Sequence, residues 1–240
     1  MRRIIALTFL AVILVTGCIR GAIWQYDRYE VRHAGNELIK KNAHISPISA
    51  GDLPQSEKEL ESFAWRPVVS EGRFVPEKEF LIRNRYHEGK YGYGVMTLFL
   101  STSGERFWVD RGWVKAGPDA KTPPIIKPVT NQEIFIEGRL RIESVENDVG
   151  GSLFAIPSRG GGSHLAEWNN KNAIKTQPYY LVMTDAKPES FAPDFPTPLP
   201  ELSDGPHLAY AFQWMLFAGL VLFALYLVLR EDRRAQRAKD

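Results

Sequence analysis

Positions 208–229 form an unbroken run of 22 residues without a charge, with His207 at the leading edge. At about 1.5 Å per residue such a helix covers roughly 33 Å, enough to cross a hydrocarbon core of about 30 Å. A second apolar run, 4–19, lies near the other end of the chain. Between the two runs the pattern becomes short and mixed. The chain is therefore expected to be a membrane hairpin: a first transmembrane helix over 1–24, an extramembrane domain over 25–187, a linker over 188–206, a second transmembrane helix over 207–229 and a basic tail over 230–240.

The stretch from Tyr26 to Asn42 is polar with apolar residues at Tyr29, Val31, Leu38 and Ile39. It continues the first helix as a stalk, with Gly35 as its weak point. Ser56 and Glu59 stand at capping-box spacing and predict a short helix to about Phe63. Strands are predicted over Val68 to Val75, Phe80 to Arg85, Gly94 to Ser101, Arg106 to Lys115, Glu133 to Val145 and Pro178 to Thr184, where β-branched and aromatic residues cluster. Turn residues separate them at Glu88-Gly89-Lys90, Thr102-Ser103-Gly104 and Asn147-Asp148. The fold class expected is membrane α+β: two terminal helices flanking one mainly antiparallel β domain, closed or half-closed into a barrel. A short helix is expected around Leu165 to Ile174. Six of the 16 prolines fall between Pro188 and Pro206, so that segment should be extended and poor in backbone donors.

Charge adds an orientation. The segment 25–206 holds 22 Lys and Arg against 25 Asp and Glu, so the overall +2 comes from basic chain ends. Such a domain lacks the clustered cations of a nucleic-acid-binding surface. Arg230, Arg233, Arg234, Arg237 and Lys239 mark a cytoplasmic flank, and Arg2 and Arg3 repeat that mark at the other end. Both termini are then cytoplasmic and the central domain periplasmic, in a bacterial inner membrane.

Cys18 is the only cysteine, which excludes an intramolecular disulfide framework and a multi-cysteine zinc site. Val15-Thr16-Gly17-Cys18 after an apolar run also reads as a lipoprotein cleavage box, which would make Cys18 a lipidated N-terminus. The alternative is a retained helix, extended by Ile19 and Gly21 to Trp24, with Trp24 and Tyr26 as interface aromatics. There is no nucleophile elbow, phosphate loop or H-E-x-x-H motif, and the glycine-rich Ser158 to Ser163 lacks the lysine of a P-loop. His33, His44, His87 and His164 have no paired-ligand spacing. No enzyme activity is expected.

Two segments carry more specific chemistry. In Phe107-Trp108-Val109-Asp110-Arg111-Gly112-Trp113-Val114, Asp110 and Arg111 are expected at a strand end, with Gly112 permitting a bulge and Arg111 pairing with a carboxylate. A partner-contact role for the same residues is the alternative. On the second span His207, Ala211, Trp214 and Ala218 fall on one helical face with Tyr210 beside them. His207 is either an interfacial cap or an axial ligand, since neutral imidazole is a common donor to haem iron.

The order of motifs resembles the Surf/Shy (Surfeit-locus) family of cytochrome c oxidase assembly factors. The matching residues are Trp24-Gln25 with Arg28, Gly72-Arg73-Phe74, Phe80 to Arg85, Gly92-Tyr93-Gly94-Val95, Val109 to Val114 including Asp110, Arg111, Gly112 and Trp113, then Glu137-Gly138, Pro206 to Trp214 and Arg230-Glu231. The resemblance implies a retained first helix. It implies a chaperone that holds haem a transiently, passes it to oxidase subunit I and works with other assembly factors. His207 would then be the haem iron ligand, with Tyr210, Ala211 and Trp214 as its lining. The alternative is a cofactor-free scaffold that docks oxidase subunits through its β domain.

Overall fold

The computed structural model describes residues 2–119, 122–142 and 164–237. The expected positions 143–145, Asn147-Asp148 and the glycine-rich 158–163 lie outside the described residues. The chain divides into two compact units, 1–34 with 203–240 and 35–202, each considered by itself.

The first unit is helical. Helix α1 runs Arg2–Asn42 without a break at Gly35, and the last helix runs His207–Arg237. Both are long and apolar enough to cross a membrane, and few of their residues are buried, as expected for helices whose surroundings are lipid. The buried positions are small: Ala11, Cys18 and Ala22 on one helix, Ala211 and Ala218 on the other. Ala11 and Cys18, like Ala211 and Ala218, stand seven apart, the repeat of a left-handed helix pair in which small side chains allow close backbone approach. Cys18 sits in this buried set.

The second unit begins with the last turns of α1, where Ile39 is fully buried. Asn42 Nδ2 donates to the carbonyls of Ser62 and Ala64, both at 2.8 Å, and ties the helix end to the domain. A two-residue strand β1 (Ile48–Ser49) and helix α2 (Glu57–Glu61) follow. Ser56 makes no side-chain cap, so the capping-box spacing does not form the box. Its carbonyl instead accepts the Leu60 N–H at 2.9 Å.

The sheet contains β2 (Pro67–His87), β3 (Lys90–Ser101), β4 (Arg106–Lys115), β5 (Ile134–Arg141) and β6 (Tyr180–Lys187), with helix α3 (His164–Lys171) between the last two. The strand order is β1-β2-β3-β4-β6-β5, and an added β2–β5 pairing closes a five-stranded barrel. The expected mainly antiparallel β domain is thus a closed barrel of mixed pairing, because β4 and β6 run parallel. Where two strands are expected over 68–85 there is one long strand. Its register passes from Val75↔Leu98 to Glu79↔Thr97, leaving Pro76, Glu77 and Lys78 as a bulge. Proline has no ladder donor, so a bulge accommodates it.

Alternation along the strands builds two apolar layers. Phe74, Phe99, Phe107, Val109, Ile136, Leu140 and Leu181 fill the barrel core with Ile39, Leu60 and Trp65. Met96, Leu98, Trp108, Tyr180 and Val182 point outward and are covered by Leu165 of α3. Each fully buried side chain of this size contributes roughly 1.5–3 kcal/mol. Strand β4 is consequently buried on both sides from Phe107 to Gly112.

That double burial brings Asp110 and Arg111 inside together. Gly94 pairs with Trp113 and Met96 with Asp110, so Arg111 and Gly112 oppose the single residue Val95: the expected bulge is present. Arg111 Nη1 donates to Glu79 Oε2 at 2.9 Å and Nη2 to the Lys127 carbonyl at 2.6 Å. Asp110 Oδ1 accepts the Gly112 N–H at 2.9 Å, and Oδ2 lies 3.4 Å from Arg85 Nη2 and 3.5 Å from Thr197 Oγ1. Burial pushes the Asp110 carboxyl above its ordinary range, while Arg85, the Gly112 N–H, Arg141 and Thr197 pull the other way. Gly112 has φ +93°, and a Cβ there would stand 2.6 Å from the Phe195 carbonyl oxygen.

Gly112→Ala should therefore lower unfolding stability by about 1–3 kcal/mol, read by chemical denaturation in detergent. A second outcome concerns pH. A carboxyl whose folded pKa is raised stabilises fully below its unfolded value of about 3.9 and loses that contribution as pH rises through the folded value. The stability of the native protein relative to Asp110→Asn should improve as pH falls from neutral towards about 4. A difference independent of pH would mean that burial leaves the proton affinity of Asp110 unchanged.

Candidate functional site

The helical unit assembles a polar pair at the start of the helix α4 (His207–Arg237). His207 Nδ1 and Gln25 Oε1 are 2.8 Å apart, although 182 positions separate the two residues. An amide oxygen accepts only, so the imidazole donates from Nδ1 and the lone pair resides on Nε2. A neutral ring in that tautomer is a prepared ligand, oriented in the manner of metal-binding histidines whose other nitrogen is tied to an oxygen. His207 Nε2 makes no hydrogen bond among the described residues.

Two neighbours shape the surroundings of this ring. Gly205 has φ +69°, and a Cβ there would stand 2.8 Å from Arg32 Nη1 and 3.5 Å from His207 Cδ2. The positive φ favours glycine, and the Arg32 guanidinium and the His207 ring both flank this turn. Below it, Ala22, Ile23, Tyr26, Leu208, Ala211, Phe212 and Met215 line an open, almost wholly apolar groove of about 410 Å³. His33 Nδ1 lies 2.9 Å from Asp204 Oδ2 on the same pair of chain segments.

The sequence-derived lining residues do not all meet. Ala211 is buried and borders the groove. Trp214 packs over α1 instead, its ring 3.0 Å from where a Gly21 Cβ would stand. Tyr210 is exposed and does not border the groove. Trp24 and Arg28 are exposed on α1, while Gln25 of the same motif turns to His207. The helical spacing used to nominate Tyr210 and Trp214 identifies a shared face but not what that face meets. Arg32, Phe212 and Met215 were missed. Arg32 is four residues from Arg28 and three from Tyr29 on a polar stalk, and only the pairing of the helices brings it near Gly205 and His207.

Asp110, Arg111, Gly112 and Trp113 lie in the barrel unit within β4 (Arg106–Lys115), not at the strand end expected from the sequence. The Trp113 N–H donates to the Phe195 carbonyl at 3.0 Å, and its indole Nε1 to the Arg85 carbonyl at 3.3 Å. The proline-rich stretch is not extended throughout, since Glu189–Phe191 form a short 3-10 helix where extended chain was expected. The carbonyls of the stretch serve as acceptors: Lys127 Nζ reaches Ala192 at 3.2 Å and Arg139 Nη1 reaches Thr197 at 3.2 Å. Among the described residues no cluster of three or more His, Cys, Asp or Glu side chains could hold a metal ion.

Comparison with known proteins supplies a family. Uncharacterized SURF1-like proteins of Mycobacterium bovis and Mycobacterium tuberculosis are each 27% identical over 226 residues, covering 91% of this chain and 80% of the relative. The profile of the SURF1 family matches residues 12–219, a span that takes in α1 from its first turns, the whole barrel and the start of α4. The chain therefore belongs to the SURF1 family, known in general for oxidase assembly factors.

Proposed function

We propose that this protein is a membrane-anchored assembly factor of cytochrome c oxidase that holds haem a at the His207 end of its helix pair and passes it to oxidase subunit I. The observation that carries this reading is the 2.8 Å bond between His207 Nδ1 and Gln25 Oε1. It leaves Nε2 as a donor to iron. The donor set around it fits the rest of a haem: Arg32 for a propionate and the groove of Ala211, Phe212, Met215 and Tyr26 for apolar substituents. Haem iron supplies the redox centre of the finished oxidase, and this chain supplies orientation and shelter from water. A single imidazole at an open groove suits a carrier, which must release what it holds. In this reading the protein turns nothing over, and other assembly factors complete the handover.

The same reading places the protein in a bacterial inner membrane. The basic flank Arg230, Arg233, Arg234 and Arg237 favours cytoplasmic termini, with the barrel on the periplasmic face.

Protein purified in detergent from cells that make haem a should show a haem spectrum, and His207→Ala should remove most of it. Full haem occupancy in that variant would take His207 out of the mechanism, and a haem-free native protein that still captures oxidase subunits would favour the cofactor-free scaffold. Gln25→Leu should weaken haem retention on the order of tenfold, as loss of a hydrogen bond behind a ligating histidine does, whereas Gln25→Glu keeps an acceptor and should retain it. Retention that ignores both substitutions would reduce Gln25 to a packing residue.

A further inference from the structure

The barrel carries a second, polar-floored pocket of about 50 Å³, lined by Arg85, Tyr86, His87, Trp113, Phe195 and Thr197 among others. Its floor is the Arg85 guanidinium, whose side chain is 21% exposed. Nη2 of Arg85 lies 3.4 Å from Asp110 Oδ2, long for a charge-assisted hydrogen bond, which closes to about 2.7–2.9 Å when fully made. Among the described residues Arg85 makes no other side-chain hydrogen bond. The buried Asp110 therefore anchors the guanidinium without saturating its five donors.

The walls are aromatic. His87 stands 4.8 Å from the Phe195 ring and 5.3 Å from Trp113, and Trp113 and Phe195 meet edge to face at 5.5 Å. Gly94 lies beneath the arginine side chain and leaves it flat against β3. Among the lining residues Tyr86 is 67% exposed and Phe195 44%. Tyr86 and Tyr91 face each other across the β2–β3 hairpin with ring centroids 5.6 Å apart. A space this small admits a carboxylate-sized group but no ring, and a planar guanidinium matches a carboxylate with two parallel hydrogen bonds.

We propose that this pocket binds a carboxylate presented by an Asp, Glu or C-terminus of a partner protein, with the exposed rings of Tyr86 and Phe195 receiving the residues on either side. A free acid would have no use for these rings. Exposed aromatic residues around a largely buried arginine are the anchor chemistry of protein interfaces. This site is independent of His207 and of any cofactor.

The test uses the full-length protein in detergent and follows the Trp113 indole N–H resonance, assigned by its loss in Trp113→Phe. Sodium propionate should shift it saturably while propionamide, its neutral isostere, should not. A blocked glutamyl peptide should bind more tightly than propionate. Arg85→Lys, which keeps the charge but loses the fork, should weaken the peptide about tenfold. Phe195→Ala, which removes a partly exposed ring and leaves Arg85 in place, should weaken the peptide but not propionate. Equal shifts from propionamide, or undiminished binding in Arg85→Lys, would overturn the carboxylate site. Propionate that binds while the peptide is excluded would overturn the protein partner in favour of a free small acid.

Discussion

The barrel depends on one strand serving two neighbours. Strand β2 pairs with β5 through its first residues and with β3 through the rest, and Gly72 pairs on both sides at once. The strand is long enough for both, and the bulge at Pro76 to Lys78 bends it within the stretch that pairs with β3. The same bend lets β2 reach over β3 to β4. Both counter-charges of the buried Asp110-Arg111 pair come from it: Arg85 for Asp110 and Glu79 for Arg111. Removing either partner would leave a buried charge uncompensated, a loss of about 3–5 kcal/mol. Closure, bend and charge pairing are thus one arrangement seen at three scales.

The segment after β6 extends that arrangement. Proline removes backbone donors, so a proline-rich stretch can be fastened only through its carbonyls and its few remaining N–H groups. Here the donors come from the barrel: the Trp113 N–H, the Arg139 guanidinium and the Lys127 ammonium. Phe195 adds a ring to the Trp113 and His87 stack. The positive φ of Gly112 is what permits the Phe195 carbonyl to come so close. A residue with a side chain at that position would disturb strand, bulge and strap together.

The strands were legible wherever burial is one-sided or patterned, and Arg106 to Lys115 coincides with β4 from end to end. The continuity of β2 was not legible, because Pro76-Glu77-Lys78 has the composition of a turn and only the neighbouring strands make it a bulge. The closed barrel was one of two expected forms, since closure depends on long-range pairing that no local pattern encodes. The parallel β4–β6 contact has a signal in hindsight: Tyr179 to Met183 is apolar without alternation, the mark of a strand buried on both faces. At the helix pair His207 was legible as a polar residue at the edge of a long apolar run. Its partner Gln25 was noticed as a motif residue but not as a partner. The register of two antiparallel helices is set by small residues such as Gly21, Ala22 and Ala211, and not by any feature near His207.

How completely a polar side chain is engaged separates scaffold from site. Both terminal nitrogens of Arg111 are held at 2.9 and 2.6 Å, and its Nε, which has no partner, is buried out of a ligand's reach. His207 is held through one ring nitrogen, and the other retains its lone pair. Arg85 is held through one long contact, and its remaining donors border a pocket. Orientation requires one firm bond, whereas recruitment requires unused capacity, and a group with both is pre-organised for a partner. Within Asp110-Arg111-Gly112-Trp113 this criterion assigns the arginine of the motif to structure. It moves the binding capacity to Arg85, a residue in another strand that the motif only positions.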